Sequence, residues 1–478
     1  MLRSLCILTF WLTVVMAPAY AEPAASVGIE TSEQPTAARS IPVRGRPVPE
    51  LDTIEPLVVD WMEGASIEAA VVGLMLNDTV IYLRGFGYLH EDVPMIENAK
   101  VRLASIAKPM TAAMIRELIR DPAIDLALND HAFNLGQSGG GVLNVNPWPS
   151  LGDTRLRDIT IDNLLRHRGG WKREDAGDHT ARECQIASEL NINSPPGRTN
   201  TMRWILGQEL INDPGTYHYS NEGYLALTKI VQARSPLSYI PLLRSRVLTS
   251  RMGVPATEIE RASTLQQNVD YREPVYLSGT CRNCNVFTGC DNWLLSIERA
   301  YGQRHLETRL GWGGLIASAP AVLRFANNYR VGRSASIGRL LTDAPIAVGN
   351  ADNHGGAQSG VSTYVFQNGG GFRAFIFFNR NVSDSTAQDF WDQQLSPALL
   401  NISTWPTESV DGAWTSVTSI GTGGYGAYDQ PFQGLTTALN RTSARTRIRL
   451  HPGSTSWTGT ISTPRVLDAP LGTVRIGE

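Results

Sequence analysis

The sequence lacks an excess of charge of either sign. Its 478 residues include 42 basic and 45 acidic side chains, which gives a formal net charge of -3 at pH 7. Proteins that bind nucleic acid usually carry a basic patch or a high isoelectric point, so this balance gives no support for such a partner. The chain is 42% hydrophobic and 18% charged. This composition is typical of a globular protein and argues against disordered, collagenous and polytopic membrane classes.

Long apolar runs are scarce as well. The first one, LCILTFWLTVVM (5–16), follows Arg3 and precedes a small-x-small sequence at 19–21. These three features are typical of a secretory signal cleaved before Glu22. The alternative is a membrane anchor, but the run is shorter than the roughly 20 residues that span a bilayer. We see no second segment of spanning length, and we predict a secreted or periplasmic protein.

Cysteine is also scarce, with five residues in the whole chain. Cys6 lies in the predicted signal, which leaves Cys184, Cys281, Cys284 and Cys290. An even number of cysteines in an exported chain favours disulfides, and the sequence leaves all three pairings open. A zinc site is the alternative, because two of these cysteines have the C-x-x-C ligand spacing.

Hydrophobic patterns place strands towards both ends of the chain. The segments 69–76 and 79–87 flank the turn-prone pair Asn77-Asp78, which predicts a hairpin, and the segments 362–367 and 372–379 predict a second one. The chain between them has mostly helical spacing. These patterns predict a sheet assembled from the two ends of the chain and a mostly helical insertion.

Composition divides the chain into four parts. Residues 1–21 are the predicted signal, and residues 22–50, rich in Pro, Ser and Ala, are predicted to form an extended arm. Periodic patterns begin near Leu51 and continue to about 400, with the helical lobe at roughly 120–300. Residues 401–478 are rich in Ser, Thr and Gly, and they are expected to be either a small β appendage or partly disordered.

Two serines are candidate nucleophiles, and the first is Ser138. The segment 136–140 matches the G-x-S-x-G elbow of α/β-hydrolases. That elbow requires an apolar strand before it and a helix after it, and the flanking segments NDHAFNL and GGVLNVNPWP fit neither. A Gly-rich surface loop explains this match better.

The second candidate, Ser105, opens a predicted helix and has Lys108 three residues later. Residues i and i+3 share a helix face, so the amine can approach the hydroxyl. A lysine can act as a base when burial or nearby cations lower its pKa. The chain has four lysines, and no other one follows a serine at this spacing. A capping serine with a surface lysine is the alternative.

Two further motifs carry polar groups suited to a cleft. Tyr219-Ser220-Asn221 lies between a turn and a predicted helix, where a tyrosinate could relay a proton and an amide could hold a carbonyl. His354 opens His354-Gly355-Gly356-Ala357 and leads into the late hairpin, where its glycines permit close approach of a substrate to the backbone. Taken singly, the tyrosine and the histidine are equally compatible with structural roles.

In this order, S-x-x-K, Y-x-N and H-x-G resemble the motifs of the class C β-lactamase, DD-peptidase and esterase superfamily of penicillin-recognising serine hydrolases. The resemblance runs from about 51 to 400, and the segments 159–170 and 311–328 are similar to family segments. It implies a β-lactamase-like α+β fold, with an antiparallel sheet flanked by helices and a mostly helical second lobe. The active site is then expected between the lobes.

The resemblance also implies roles for the motif residues. Ser105 would be the acylated nucleophile, Lys108 and Tyr219 would share the role of base, and Asn221 would orient the substrate. The expected substrate is a small molecule or peptide, with no cofactor, no metal, no nucleic acid and no membrane span after signal cleavage. The sequence leaves the oligomeric state open.

The third motif departs from the family. His354 would bind or protonate substrate on the far wall beside Gly356, and the backbone N–H groups of Ser105 and Ala357 would form the oxyanion hole. Many family members have Lys-Thr-Gly here, whereas His354-Gly355 lacks both the fixed charge and the hydroxyl. A carboxypeptidase, aminopeptidase or esterase is therefore favoured over a strong β-lactamase.

Two alternatives remain open at this stage. A non-catalytic binding or sensor module could retain the pocket for peptidoglycan-like ligands, although a pure binder has no need of Ser105, Lys108, Tyr219 and Asn221 together. The extension at 401–478 could also make this an interaction protein with an incidental hydrolase fold.

Replacing each candidate nucleophile distinguishes the two serine motifs. We expect Ser105→Ala to abolish turnover of a generic acyl ester, because it removes the attacking oxygen, and Ser138→Ala to leave turnover nearly intact. The hydrolysis rate of a nitrophenyl ester measures both. The reverse outcome would restore the elbow hypothesis.

Overall fold

The computed structural model describes residues 40–248, 252–288, 295–332 and 346–477. The predicted signal, residues 22–39 of the predicted arm, and Cys290 lie outside these ranges. The strands are Val43–Arg44 (β1), Ala69–Leu76 (β2), Thr79–His90 (β3), Val93–Pro94 (β4), Lys100–Arg102 (β5), Ile259–Arg261 (β6), Thr280–Arg282 (β7), Ser296–Glu298 (β8), Leu315–Ser318 (β9), Ala351–Gln358 (β10), Val361–Asn368 (β11), Phe372–Phe378 (β12), Ala413–Ser416 (β13), Phe432–Gln433 (β14), Arg447–His451 (β15), Gly453–Thr455 (β16), Val466–Asp468 (β17) and Val474–Ile476 (β18).

The helices lie mainly between the early and late strands. The α-helices are Ile54–Ala65 (α1), Ala107–Arg120 (α2), Ile161–Leu165 (α3), Arg173–Ala176 (α4), Glu183–Glu189 (α5), Gly197–Leu206 (α6), Asn221–Ala233 (α7), Tyr239–Leu242 (α8), Ala319–Asn328 (α9), Ala387–Phe390 (α10), Ser396–Leu399 (α11) and Leu435–Arg441 (α12). Two π-helical segments, Leu243–Leu248 and Trp391–Leu395, continue α8 and α10. Short 3-10 helices occupy Pro49–Leu51, Ala104–Ile106, Thr154–Asp158, His179–Ala181, Ala256–Glu258, Gln266–Asn268, Arg299–Tyr301 and Leu306–Arg309.

The main sheet joins the two ends of the chain, as the sequence predicts. Its strand order is β1-β3-β2-β12-β11-β10, all neighbours are antiparallel, and β4 adds to β3. The early and late hairpins meet where β12 pairs with β2, from Phe372 opposite Leu76 to Phe378 opposite Ala70. Together with the helices this confirms the predicted β-lactamase-like α+β fold, and it leaves β10 as an edge strand.

Local sequence explains the early hairpin. Asn77 and Asp78 both have positive φ, at 46° and 69°. Two-residue turns with positive φ at both positions match the right-handed twist of paired strands, and Asn and Asp tolerate that conformation. Helix α9 packs on this sheet. A Cβ added at Gly73 of β2 would lie only 3.1 Å from the Leu323 side chain of this helix, so glycine permits the close packing.

The central part of the chain is less purely helical than predicted. Strands β5, β9 and β6 form a separate three-stranded antiparallel sheet, and β7 pairs with β8. These strands are three or four residues long, too short to produce a detectable alternation of polar and apolar residues. The small sheet matters because β5 ends at Arg102, three residues before Ser105.

Ordered structure also begins earlier than the sequence predicted. Val43 and Arg44 pair with Phe86 and Gly85, so that the end of the Pro-rich segment forms the outer strand of the main sheet. Two residues carry no periodic signal, and their pairing depends on a partner about forty positions away, which local pattern cannot show.

The C-terminal extension contains a folded β structure. Its sheet has the order β14-β13-β15-β17 with parallel pairs, and β16 pairs with β18. Its own apolar core comprises Val417, Phe432, Leu435, Ala438, Ile448 and Leu450. Of the two expectations for this segment, the β appendage fits these residues. The division of the chain near 400 remains a prediction.

Candidate active site

Ser105 lies at the start of α2, in the 3-10 turn Ala104–Ile106. Ala104 has φ +47°, a conformation that is uncommon for residues other than glycine. The turn therefore redirects the chain sharply between β5 and α2. One helical turn later, Lys108 donates a hydrogen bond from Nζ to Ser105 Oγ at 3.0 Å.

Lys108 is completely buried. Besides Ser105, its Nζ donates to the Trp312 carbonyl at 3.2 Å. Burial lowers the pKa of Lys108 to about 7, because the charged form loses its hydration; Asp178 partly opposes this shift and the cations of Arg173 and Arg309 add to it. At neutral pH this amine is therefore present in comparable amounts as acid and as base.

Tyr219 presents its ring to the same amine. Lys108 Nζ lies 4.7 Å from the ring centroid, a cation–π distance that stabilises the protonated lysine. On the other side, His167 stacks on Tyr219 with centroids 4.4 Å apart. Lys108, Tyr219 and His167 thus form one continuous packing unit.

His167 is a site residue for which the sequence analysis assigned no role. Its Nδ1 accepts the Ser220 backbone N–H at 3.1 Å, and burial is the main cause of a pKa well below the ordinary value, so the ring is neutral. The available signal was its position in the segment 159–170. The neutral ring holds the Tyr219 loop without placing a second positive charge beside Lys108.

Asn221 has a less direct position than its expected role would suggest. It is the first residue of α7, and its Nδ2 donates to Asp178 Oδ2 at 2.6 Å. Its Oδ1 is buried and has no hydrogen-bond partner among the described residues. Asp178 also accepts from the Thr180 backbone N–H at 2.9 Å, and the nearby Arg309 charge helps to lower its pKa despite burial. The role of Asn221 in orienting substrate remains a prediction.

The third motif lies on the edge strand β10, where His354 pairs with Val365 and Gly356 with Thr363. His354 donates a hydrogen bond from Nδ1 to the Gly355 carbonyl at 2.8 Å, because a carbonyl oxygen can only accept. Gly356 is required by space. An added Cβ would lie 2.3 Å from Thr363 Oγ1 and 2.6 Å from the Leu103 carbonyl.

A cleft of about 350 Å³ brings these motifs together. Ser105, Tyr219, His354, Gly356 and Ala357 line it, whereas Lys108 and Asn221 lie outside the described lining. The sequence did not identify the remaining side chains at this surface, which are Arg173, Tyr217, Ser362, Thr363, Thr386 and Gln388. They come from four separate segments and have no motif in common, so no local pattern indicates them.

Ser138 lies elsewhere, exposed on a loop. Gly136, Gly139 and Gly140 in this loop all have positive φ, and the Gln137 side chain closes it by hydrogen bonds to the backbone of Leu135 and Gly140. Neither a strand nor a helix adjoins Ser138, which agrees with the surface loop expected there.

The cysteine alternatives are partly resolved. Cys281 and Cys284 form a disulfide, so their thiols are not available to zinc in this state, and Cys184 is also disulfide-bonded. Within the described ranges, no group of three or more His, Cys, Asp or Glu side chains has an arrangement suited to a metal ion. Nor does any helix in those ranges have the length and hydropathy to cross a membrane.

Comparison with known families assigns the chain to one of them. The sequence model of the Beta-lactamase family matches residues 54–428, most of the chain. The protein therefore belongs to the β-lactamase family, a family of serine hydrolases that share this α+β fold. The match ends at 428, somewhat beyond the position near 400 where the sequence resemblance was expected to end.

The chain is also similar to several solved structures. One is a penicillin-binding protein homologue from Pyrococcus abyssi, with 16% identity, a TM-score of 0.49, and coverage of 72% of this chain and 77% of that one. Another is a D-amino acid amidase from Ochrobactrum anthropi, with 15% identity, a TM-score of 0.49, and coverage of 75% of this chain and 100% of that one. A third is a β-lactamase/D-alanine carboxypeptidase from Yersinia pestis, with 16% identity, a TM-score of 0.47, and coverage of 72% of this chain and 95% of that one.

The close approach at Gly356 gives a testable prediction. Gly356→Ala places a methyl group against Thr363 and the Leu103 carbonyl, so we expect the edge strand to move away from the Ser105 turn. Ester turnover should fall at least tenfold, and the free energy of unfolding should decrease by about 1–3 kcal/mol.

Gly313→Ala is the matched control for this variant, because its added Cβ meets nothing closer than 3.6 Å. Turnover and thermal unfolding of both variants provide the measurement. Equal effects of the two substitutions would contradict the close approach at Gly356.

Proposed function

We propose that this protein is an exported serine hydrolase that cleaves an amide or ester through an acyl-enzyme on Ser105. The observation that carries this proposal is the 3.0 Å contact between Lys108 Nζ and Ser105 Oγ, made at the wall of a cleft. A serine hydroxyl is a poor nucleophile until a neighbouring base removes its proton. Here an amine with a lowered pKa is already in hydrogen-bond contact.

In the first step, neutral Lys108 accepts the Ser105 proton as Oγ attacks the substrate carbonyl carbon. The resulting ammonium remains hydrogen-bonded to the Trp312 carbonyl and lies over the Tyr219 ring. Tyr219 borders both the cleft and the amine, which suits the relay role expected for it. Collapse of the tetrahedral intermediate expels the alcohol or amine, which takes up the proton held by Lys108.

The oxyanion formed in this step requires donors. We assign this role to the backbone N–H groups of Ser105 and Ala357, which belong to two segments lining the same cleft. Loss of one such donor typically costs a hundredfold or more in rate. In the second step a water gives up a proton to Lys108, its oxygen attacks the ester carbonyl, and Ser105 is released with its proton restored.

Two features support the finer assignments. The third motif has His354 where many relatives have a fixed cation, which favours a peptidase or esterase over a strong β-lactamase. The disulfide between Cys281 and Cys284 is typical of an oxidising compartment and supports export.

Trapping the intermediate tests the acyl-enzyme directly. The mature protein is exposed to a panel of esters, D-amino-acid peptides and a penicillin, and intact-mass spectrometry then detects any adduct. We expect one adduct per chain, located on Ser105 by peptide mapping and absent from Ser105→Ala. A folded protein that binds panel members but never forms an adduct would instead be the binding module.

The state of Lys108 predicts a pH dependence. The base must be neutral, so kcat/KM should rise as pH increases through about 7 and then level off. Lys108→Met should reduce turnover at least a hundredfold and remove this inflection. The control is Lys229→Met, which removes a partly exposed lysine that is hydrogen-bonded to Thr199. This variant should leave the turnover and the pH inflection unchanged. An inflection that persists in Lys108→Met would assign it to another group.

A further inference from the structure

The cleft carries a fixed charge of one sign. Among the described residues that line it, Arg173 is the only permanently charged side chain, and no carboxylate is present. The other lining groups are hydroxyls, an amide, an imidazole and backbone. A cleft with charge of one sign attracts ligands of the opposite sign.

Arg173 is available to a ligand because nearby acids are engaged elsewhere. Asp175 pairs with Lys172 at 2.7 Å, and Asp178 accepts hydrogen bonds from Thr180 and Asn221. The Arg173 side chain is exposed, and its guanidinium makes no ion pair with any residue in the described ranges. A guanidinium offers a planar fork of donors that matches a carboxylate.

Arg173 also lines the same cleft as Ser105, the proposed nucleophile. Burial is the main cause of the lowered pKa of Lys108, and the Arg173 cation contributes to it. The same cation helps to lower the pKa of Asp178. A substrate group bound by Arg173 would therefore lie near the bond that is cleaved.

Position in the fold completes the argument. The edge strand β10 carries His354 and no fixed cation, whereas Arg173 begins α4 in the helical lobe and lines the same cleft. We propose that Arg173 binds a carboxylate of the acyl substrate and makes the site selective for anionic substrates. This inference rests on the hydrolase activity proposed above and names its substrate class.

Two pairs of matched esters test this selectivity. In the first pair the charge is on the leaving group, with 4-acetoxybenzoate against 4-acetoxybenzamide. In the second pair it is on the acyl group, with the monophenyl ester of adipic acid against its terminal amide. The measured quantity is the ratio of kcat/KM for the anionic ester to that for the neutral one. We expect the native enzyme to prefer the anion about tenfold or more in at least one pair, because a charge-assisted hydrogen bond has that value.

Variants then assign the preference to one side chain. Arg173→Gln should reduce the ratio to near one, and Arg173→Lys should retain part of it, since the charge remains without the fork. Raising the salt to about 0.5 M should weaken the native preference. Arg168→Gln removes another exposed arginine, which does not line the cleft, and should leave the ratio unchanged.

Several outcomes would overturn the proposal. The first is a native enzyme without preference in either pair, and the second is an Arg173→Gln variant that retains the native ratio. The third is an Arg173→Gln variant in which kcat/KM falls equally for both esters of a pair. Binding of the anionic esters to Ser105→Ala, followed by calorimetry, provides a measurement that needs no turnover. Arg173→Gln in that background should weaken binding about tenfold, and equal binding would again refute the role. Failure of the hydrolase proposal itself would appear separately, as the absence of any Ser105 adduct.

Discussion

The burial of one lysine is the constraint on which the candidate site depends. Lys108 is enclosed by α2, by the Trp312 carbonyl and by the Tyr219 ring, and its Nζ contacts Ser105 Oγ. Removing an ammonium from water is costly unless it is paired. Here no carboxylate forms a salt bridge with it among the described residues, so the cost appears as a lowered pKa. The packing that disfavours the charged amine is what makes it usable as a base.

That packing depends on both ends of the chain. The turn carrying Ser105 is held against the sheet by Thr363 of β11, whose hydroxyl donates to the Leu103 carbonyl at 3.0 Å. Gly356 of the edge strand leaves no space there for a side chain. The edge strand is held by the late hairpin, which pairs with the early hairpin through β12 and β2. Helical lobe and sheet therefore meet at the cleft, where each supplies part of its lining.

The sequence predicted the elements whose causes are local. The hairpin at Asn77-Asp78, the helix after Ser105 and the Ser105–Lys108 spacing follow from turn chemistry and periodicity over a few residues. The strands β1, β5 and β6 were missed because they are two or three residues long. Arg173 and His167 were missed as site residues because their importance comes from neighbours far away in the sequence, the cleft in one case and the Tyr219 ring in the other.

The sequence by itself determined the family, the fold class and the motifs, because these depend on residue types at fixed spacing. Only the tertiary structure decided which groups share an environment. It buried Lys108, directed the Asn221 amide towards Asp178, left Ser138 on an exposed loop and placed Arg173 in the cleft. The physical reason is that burial, pKa and the charge of a cleft are properties of surroundings, which contacts between distant segments create.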